Sequence, residues 1–328
     1  MSYLLLLVGI VMVLVGADKL TDGATALAKR FHVSDLVIGL TVVAFGTSLP
    51  EFVTSFTAVL NHYEAISMGN IIGSNIFNTL LIVGASALTF PIWVSKTSLS
   101  KDIPFALLAS MALLIVSQDM LFSDAKEQVI TMGDGLILLL FFSIFMYYTF
   151  SMAHTPQVLP DNVKDENVST DENSPKANEY GIVRIIVYIL IGLAGLIFGG
   201  NFFVNSASDL ARSWGVSEHI IALTIVAGGT SLPELATSIV AARKGNSAIA
   251  IGNVIGSNIF NIFFVVGCCA LVSPISAASI TSVDLMLLIG SILLLWVFAF
   301  TNRRISRLEG ALLVLLYVFY MISSIVHF

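Results

Sequence analysis

Apolar stretches long enough to cross a bilayer recur along this whole chain, separated by short polar turns. A spanning helix needs about 20 predominantly apolar residues. The pattern predicts ten such spans, near 3–26, 36–60, 66–90, 103–120, 132–152, 181–204, 219–242, 248–272, 284–301 and 309–326. Residues 153–180 break the rhythm. They are rich in Asp, Glu, Asn, Ser and Pro and lack an apolar period, so they read as a solvated linker. The expected fold is an all-α polytopic membrane protein with a five-helix unit at 1–152, an acidic linker at 153–180 and a second five-helix unit at 181–328. The first apolar run, Tyr3 to Ala17, lacks a basic leader and a cleavage site. It reads as a spanning helix and not a removable signal.

Two segments repeat. Residues 39–84 and 222–267 align without a gap at an offset of 183, with 26 of 46 positions identical. Each segment places a glutamate, Glu51 or Glu234, inside a membrane-length apolar run. A carboxylate at membrane depth costs about 2.5–3.5 kcal/mol on insertion scales and marks a functional site by default. Five spans precede the second copy, so it enters the membrane from the opposite side. The halves are therefore inverted repeats, and matching interrupted spans in two such halves point to a transporter's binding site.

Composition agrees with this reading: 57% of residues are hydrophobic and 11% charged, against about 25% charged in soluble domains. The net charge of −6 owes much to six acids in the 153–180 segment, and no basic patch suited to nucleic acid appears. Loops after odd-numbered spans carry 13 Lys and Arg residues, and the even-numbered loops carry only Lys126 and Arg212. The positive-inside rule then puts the odd loops and the 153–180 segment in the cytoplasm and both termini outside.

The repeated segments carry the chemistry. Both contain GTSLPE, at 46–51 and 229–234. Pro50 and Pro233 lack an N–H, so the carbonyls of Gly46 and Gly229 lose their helical partners. Broken helices at membrane depth persist only when buried in protein or lining a wet cavity. Thr47, Ser48 and Glu51 lie at spacings of three and four and are expected to share a helix face, as are Thr230, Ser231 and Glu234. The partner segments are GNIIGSNIFN at 69–78 and GNVIGSNIFN at 252–261, with Asn70, Ser74 and Asn78 in line, and likewise Asn253, Ser257 and Asn261. The pooled ligands are hard oxygens, which suit Ca²⁺ and can also serve Na⁺. Single Ser, Thr, Asn and Gly residues often serve only as helix-packing glue. That role does not account for two central glutamates beside helix-breaking prolines.

GTSLPE followed by GN-x-x-GSN-x-x-N, twice and inverted, resembles the α-repeats of the calcium/cation antiporter superfamily, in its sodium/calcium exchanger branch. The resemblance spans nearly the whole chain. It implies a secondary antiporter that exchanges Ca²⁺ for Na⁺ by alternating access, with no cofactor and no obligate protein partner. It also implies an ion site built from Glu51, Glu234, Thr47, Thr230, Ser48, Ser231, Ser74, Ser257, Asn78 and Asn261, with the carbonyls of Ala44 and Ala227. Relatives that co-transport potassium generally carry Asp at the position of Asn261, so Asn here argues against potassium dependence.

The nearest rival is a Ca²⁺/H⁺ antiporter in which protons neutralise both glutamates, although that branch typically carries a different glutamate motif. A cation channel usually surrounds its pore with ligands from several subunits, which an internal inverted repeat disfavours. An intramembrane enzyme would need a nucleophile–base pair or HExxH, and neither appears. Cys268 and Cys269 read as small hydrophobes, and the five histidines have no ligand spacing. Asp18 and Asp22 are expected to cap or to pair with Lys19. The acids of 153–180 lack the glycine of an EF-hand loop. The lack of a large regulatory domain or long targeting segment suggests a prokaryotic inner membrane.

Overall fold

The computed structural model describes residues 2–118, 128–153, 181–216, 225 and 227–327. The expected 153–180 linker, apart from Ala153, and the start of the expected 219–242 span lie outside them. The first repeat contains α1 (Ser2–Phe31), α2 (Asp35–Thr47), α3 (Leu49–Leu60), α4 (Glu64–Thr89), α5 (Ser98–Ser117) and α6 (Met132–Ser151). The second contains α7 (Ile182–Ser213), α8 (Ala227–Thr230), α9 (Leu232–Arg243), α10 (Ser247–Val272), α11 (Ser282–Phe300) and α12 (Arg307–His327). Among the described residues eight helices are long and apolar enough to cross a membrane, and α2 with α3 forms a ninth span bent by 47°. The tenth span corresponds to α8 and α9, of which the described part repeats the same break. The fold is thus ten spans in two inverted five-helix repeats.

Polar caps set where the helices start. Ser34 accepts the Val37 N–H at the start of α2. Thr131 and Asp134 form a reciprocal capping box on α6, Thr281 and Asp284 repeat it on α11, and Ser306 with Glu309 makes the same contacts before α12. His32 and His62 take left-handed backbone angles, φ 54° and 60°, in the turns that follow α1 and α3. These two histidines serve as turn residues.

The most enclosed helices are α4 and α10, which cross the centre. Outer helices expose apolar side chains such as Leu4, Leu7, Val11 and Leu14 of α1, and Leu308, Leu312, Leu315 and Phe319 of α12. Continuous apolar exposure of this kind is a lipid-facing surface. Two short strand pairs depart from a purely helical fold. Ile92 and Trp93 pair with Ile305 and Arg304, and Val129 and Ile130 pair with Ser276 and Ile275. Each pair joins loops of the same parity, third to ninth and fourth to eighth, and each crosses between repeats. This agrees with the alternation of sides read from the spans.

Helices α1 and α7 lie antiparallel in near-backbone contact. A Cβ at Gly192 would stand 2.6 Å from the Leu20 nitrogen, and one at Gly9 would stand 2.7 Å from the Phe203 nitrogen. Gly16 faces the Gly192 carbonyl in the same way. Small residues at these positions allow an approach that apolar lipid cannot drive by itself. One end of α1 also packs along α9, whereas the equivalent α7 and α3 scarcely touch. Lys244, just past α9, fastens the α1 contact through Asp18 at 2.6 Å and Asp22 at 2.7 Å. Lys19, the expected partner, reaches Asp18 only at 3.4 Å. The sequence could not bring Lys244 to α1, because the two are far apart along the chain.

Replacing Gly192 by Val should push α1 off α7 and lower stability by about 1–3 kcal/mol, the usual cost of overpacking. Thermal unfolding of purified protein measures this. Gly200, beside which a Cβ meets nothing within 4 Å, is the control, and Gly200→Ala should be neutral or slightly stabilising.

Candidate functional site

The α2–α3 span and its repeat, α8–α9, each break where proline removes the helical N–H. Pro50 is in the first turn of α3 and Pro233 in the first turn of α9. The break itself falls one position earlier than those turns, at Ser48 (φ −85°, ψ 7°) and at Ser231 (φ −89°, ψ 9°). Each glutamate therefore sits in the first turn of a new helix, where the unpaired N–H groups and the helix dipole favour negative charge. Both side chains are buried, with Glu51 1% and Glu234 0% exposed.

Thr47, Ser48 and Glu51 do not form one continuous face, because the helix turns at Ser48. Their contacts run instead to the other repeat. Ser48 Oγ donates to Glu234 Oε1 at 2.7 Å, and Ser231 Oγ donates to Glu51 Oε1 at 2.8 Å. Thr47 Oγ1 donates to Asn253 Oδ1 at 3.0 Å, and Thr230 Oγ1 donates to Asn70 Oδ1 at 3.3 Å. Asn70 and Asn253 in turn donate to the carbonyls of Glu51 and Glu234, each at 3.3 Å, and to Ser55 and Ser238. Asn70 and Asn253 thus clamp the broken backbone.

A second set of amides lies across the pseudo-symmetry axis. Asn78 Nδ2 donates to Asn258 Oδ1 and Asn261 Nδ2 to Asn75 Oδ1, each at 3.1 Å. Asn75 Nδ2 reaches the Asn258 carbonyl at 3.2 Å, and Asn258 Nδ2 reaches Thr79 Oγ1 at 2.8 Å. Asn75 and Asn258 belong to the repeated GSN triplet, yet the spacing-of-four reading passed over them. Their presence in both copies was the available signal.

This network leaves a distinctive remainder. Six buried oxygens lack any hydrogen-bond partner and come as three repeat-related pairs: Oε2 of Glu51 and Glu234, Oγ of Ser74 and Ser257, and Oδ1 of Asn78 and Asn261. Other unpartnered buried polar atoms among the described residues, such as Ser67 Oγ and Asp102 Oδ2, do not pair in this way. Ser257 lies beside the Glu234 carboxylate without hydrogen-bonding geometry. A buried polar atom left unmatched costs about 1–3 kcal/mol, more for a charged group, so these three repeat-related pairs are candidate cation ligands. The Ala44 carbonyl is already engaged, accepting the Ser48 N–H at 3.0 Å and the Thr47 hydroxyl at 3.4 Å. The backbone of Ala227 opens α8 at the matching position. Cys268 and Cys269 are free thiols in α10.

The model of the sodium/calcium exchanger protein family matches residues 1–151 and 184–326. The chain belongs to that family. The sodium/calcium exchanger MaX1 of Methanosarcina acetivorans is 34% identical over 345 residues, covering 98% of this chain and 97% of the relative. Inner membrane protein YrbG of Escherichia coli is 34% identical over 270 residues, covering 82% of this chain and 79% of the relative. Among solved structures, the sodium-calcium exchanger NCX_Mj soaked with 10 mM Na⁺ and zero Ca²⁺ superposes with a TM-score of 0.81. It is 34% identical and covers 98% of each chain. An exchanger-family architecture is therefore the frame in which this chain holds its paired oxygens.

Asn258→Ala should leave the Asn78 amide without its acceptor and Thr79 without its donor. The expected loss is about 1–3 kcal/mol of stability, the cost of buried groups left unmatched. Asn61→Ala, which removes only an exposed contact to the Thr57 carbonyl, should change the thermal midpoint far less.

Proposed function

We propose that this protein is a secondary antiporter that exchanges Ca²⁺ for Na⁺ at one central site by alternating access. The observation that carries the reading is the set of six paired, unpartnered oxygens. Two belong to carboxylates, which balance one divalent ion, and four are neutral hard oxygens of the kind that Ca²⁺ and Na⁺ both accept. Glu51, Glu234, Ser74, Ser257, Asn78 and Asn261 are the proposed direct ligands. Ser48 and Ser231 aim the carboxylates, and Thr47 and Thr230 with the carbonyls of Ala44 and Ala227 complete the proposed oxygen shell. Asn75 and Asn258 orient the two site amides by occupying their N–H groups. The similar proteins MaX1 and NCX_Mj, both sodium/calcium exchangers, support the ion pair.

The proposed division is a first repeat at 1–152, a linker at 153–180 and a second repeat at 181–328. The break between the two matched stretches of the family model supports it. The lysine and arginine bias supports a cytoplasmic location for the odd loops and the linker, with both termini outside, and a prokaryotic inner membrane remains the proposed setting. Contact between α1 and α9 without its α7–α3 counterpart supports a state closed towards the odd-loop face. In the opposite state α7 would pack on α3 and the Lys244 clamp would open. Differential affinity couples the ions: a loaded site crosses, and two bare carboxylates should not.

Glu51→Gln and Glu234→Gln should each reduce Ca²⁺ exchange to background in proteoliposomes while the protein still elutes as a single species. Each change removes half of the balancing charge. Near-normal exchange by either variant would place the site elsewhere.

Exchange should also be electrogenic. Ca²⁺ with two carboxylates crosses neutral, and a site that accepts more than two Na⁺ crosses positive. Each elementary charge moved gains about 2.3 kcal/mol per 100 mV. A potassium–valinomycin potential should therefore shift the endpoint of Na⁺-driven Ca²⁺ movement. An endpoint that ignores voltage and follows pH without a Na⁺ gradient would favour exchange against protons.

A further inference from the structure

We propose that Asp102 and the oxygens around it form a second cation site, separate from the central one and suited to a single Na⁺. Asp102 is in the second turn of α5 and is 1% exposed. Its Oδ1 accepts from the Tyr148 hydroxyl at 3.2 Å, while Oδ2 is buried with no hydrogen-bond partner. Asp102 lines a cavity of about 10 Å³, room for one water-sized body. Leu36, Val37 and Leu40 of α2 form one wall, and Thr97, Tyr148 and Thr149 add oxygens.

The inverted repeat provides an internal comparison. Asp284, one position short of the residue that the 183-residue offset pairs with Asp102, stands near the start of α11, and its Oδ1 likewise accepts from a tyrosine, Tyr320, at 3.3 Å. There the other oxygen is satisfied, because Asp284 Oδ2 accepts from the Thr281 N–H at 3.2 Å and the Thr281 hydroxyl at 2.6 Å. Three residues before Asp102 stands Leu99, which has no hydroxyl and whose carbonyl is taken by Trp296 Nε1 at 2.8 Å. Ser98 lies near Asp102, but its hydroxyl is shared with Ser95 Oγ at 3.0 Å. A helix cap thus satisfies the second carboxylate oxygen of Asp284, whereas that of Asp102 has no partner and the Asp102 residue lines the cavity.

The charges nearby do not fill this role. Lys101 acts on Asp102 only from a distance, with its Nζ over the Tyr148 ring at 5.4 Å. The α2 wall is apolar, and α6 presents only the hydroxyls of Tyr148 and Thr149. One carboxylate is balanced by one positive charge, so a divalent ion would leave an excess charge in a poorly solvated pocket. The oxygen ligands and the water-sized volume suit Na⁺, and K⁺ needs a wider cage. An ion here would hold the first turns of α2, the helix that ends at Thr47 and Ser48 in the central site. Occupancy would thereby bias the break without the ion being carried across.

The test uses full-length protein with Glu51→Gln and Glu234→Gln, which removes both central carboxylates. Its thermal midpoint is measured as NaCl replaces choline chloride at constant ionic strength, with KCl as a parallel series. A saturable rise of several degrees with Na⁺, smaller with K⁺, is expected, and adding Asp102→Asn should abolish it. No rise in the parent, meaning the cavity holds only water, overturns the proposal, as does a rise that survives Asp102→Asn. Should the Asn variant fail to fold, Tyr148→Phe keeps the carboxylate and should raise the half-saturating Na⁺ concentration at least about fivefold; an unchanged midpoint concentration also overturns it. Failure here leaves the central site untouched, since its own test is exchange by the single glutamine variants.

Discussion

Two carboxylates buried within electrostatic reach of each other in a poorly solvated membrane interior are the constraint on which the rest of this structure depends. Neither repeat can hold its own. Glu51 is fastened by Ser231 and Glu234 by Ser48, so each half supplies the hydroxyl that aims the other half's charge. The helix breaks serve the same end, placing each carboxylate at a helix N-terminus. What those contacts leave over is a matched set of oxygens with no donors facing them, and a mobile cation is the natural complement. Because each of these oxygen pairs is divided between the repeats, relative movement of the halves would separate or join its members.

Pseudo-symmetry explains how one chain can hold two states. The centre is nearly identical in the two repeats, but the ends are not. Lys244 bridges Asp18 and Asp22, whereas the positions related by the 183-residue offset are Asn61, Asn201 and Asn205. The clamp on one face is ionic and its counterpart is uncharged. Exposed ion pairs contribute about 0–1 kcal/mol each, a magnitude that biases an equilibrium between two packings without locking it. The glycine contacts along α1 and α7 make those two helices a closely fitted pair.

Much of this was legible from the residues alone. Span count, inverted duplication and the two glutamates follow from the cost of placing polar groups in lipid, which leaves a strong mark on any sequence that tolerates it. Proline beside each glutamate announces the break by removing a donor. Tertiary structure alone decided which oxygens face an ion and which face each other. Thr47 and Ser48 lie close to Glu51 in sequence but serve the opposite repeat, and Asn75 and Asn258 stand behind the site amides although no spacing singled them out. Lys244 found Asp18 and Asp22 across the fold, and Asp102 keeps one carboxylate oxygen without a partner whereas Asp284 caps its helix. The physical reason is the same in each case. Hydropathy and helix chemistry act locally and can be read along the chain, whereas hydrogen-bond partners are chosen by distance in space, and the two repeats meet only after the chain has folded back on itself.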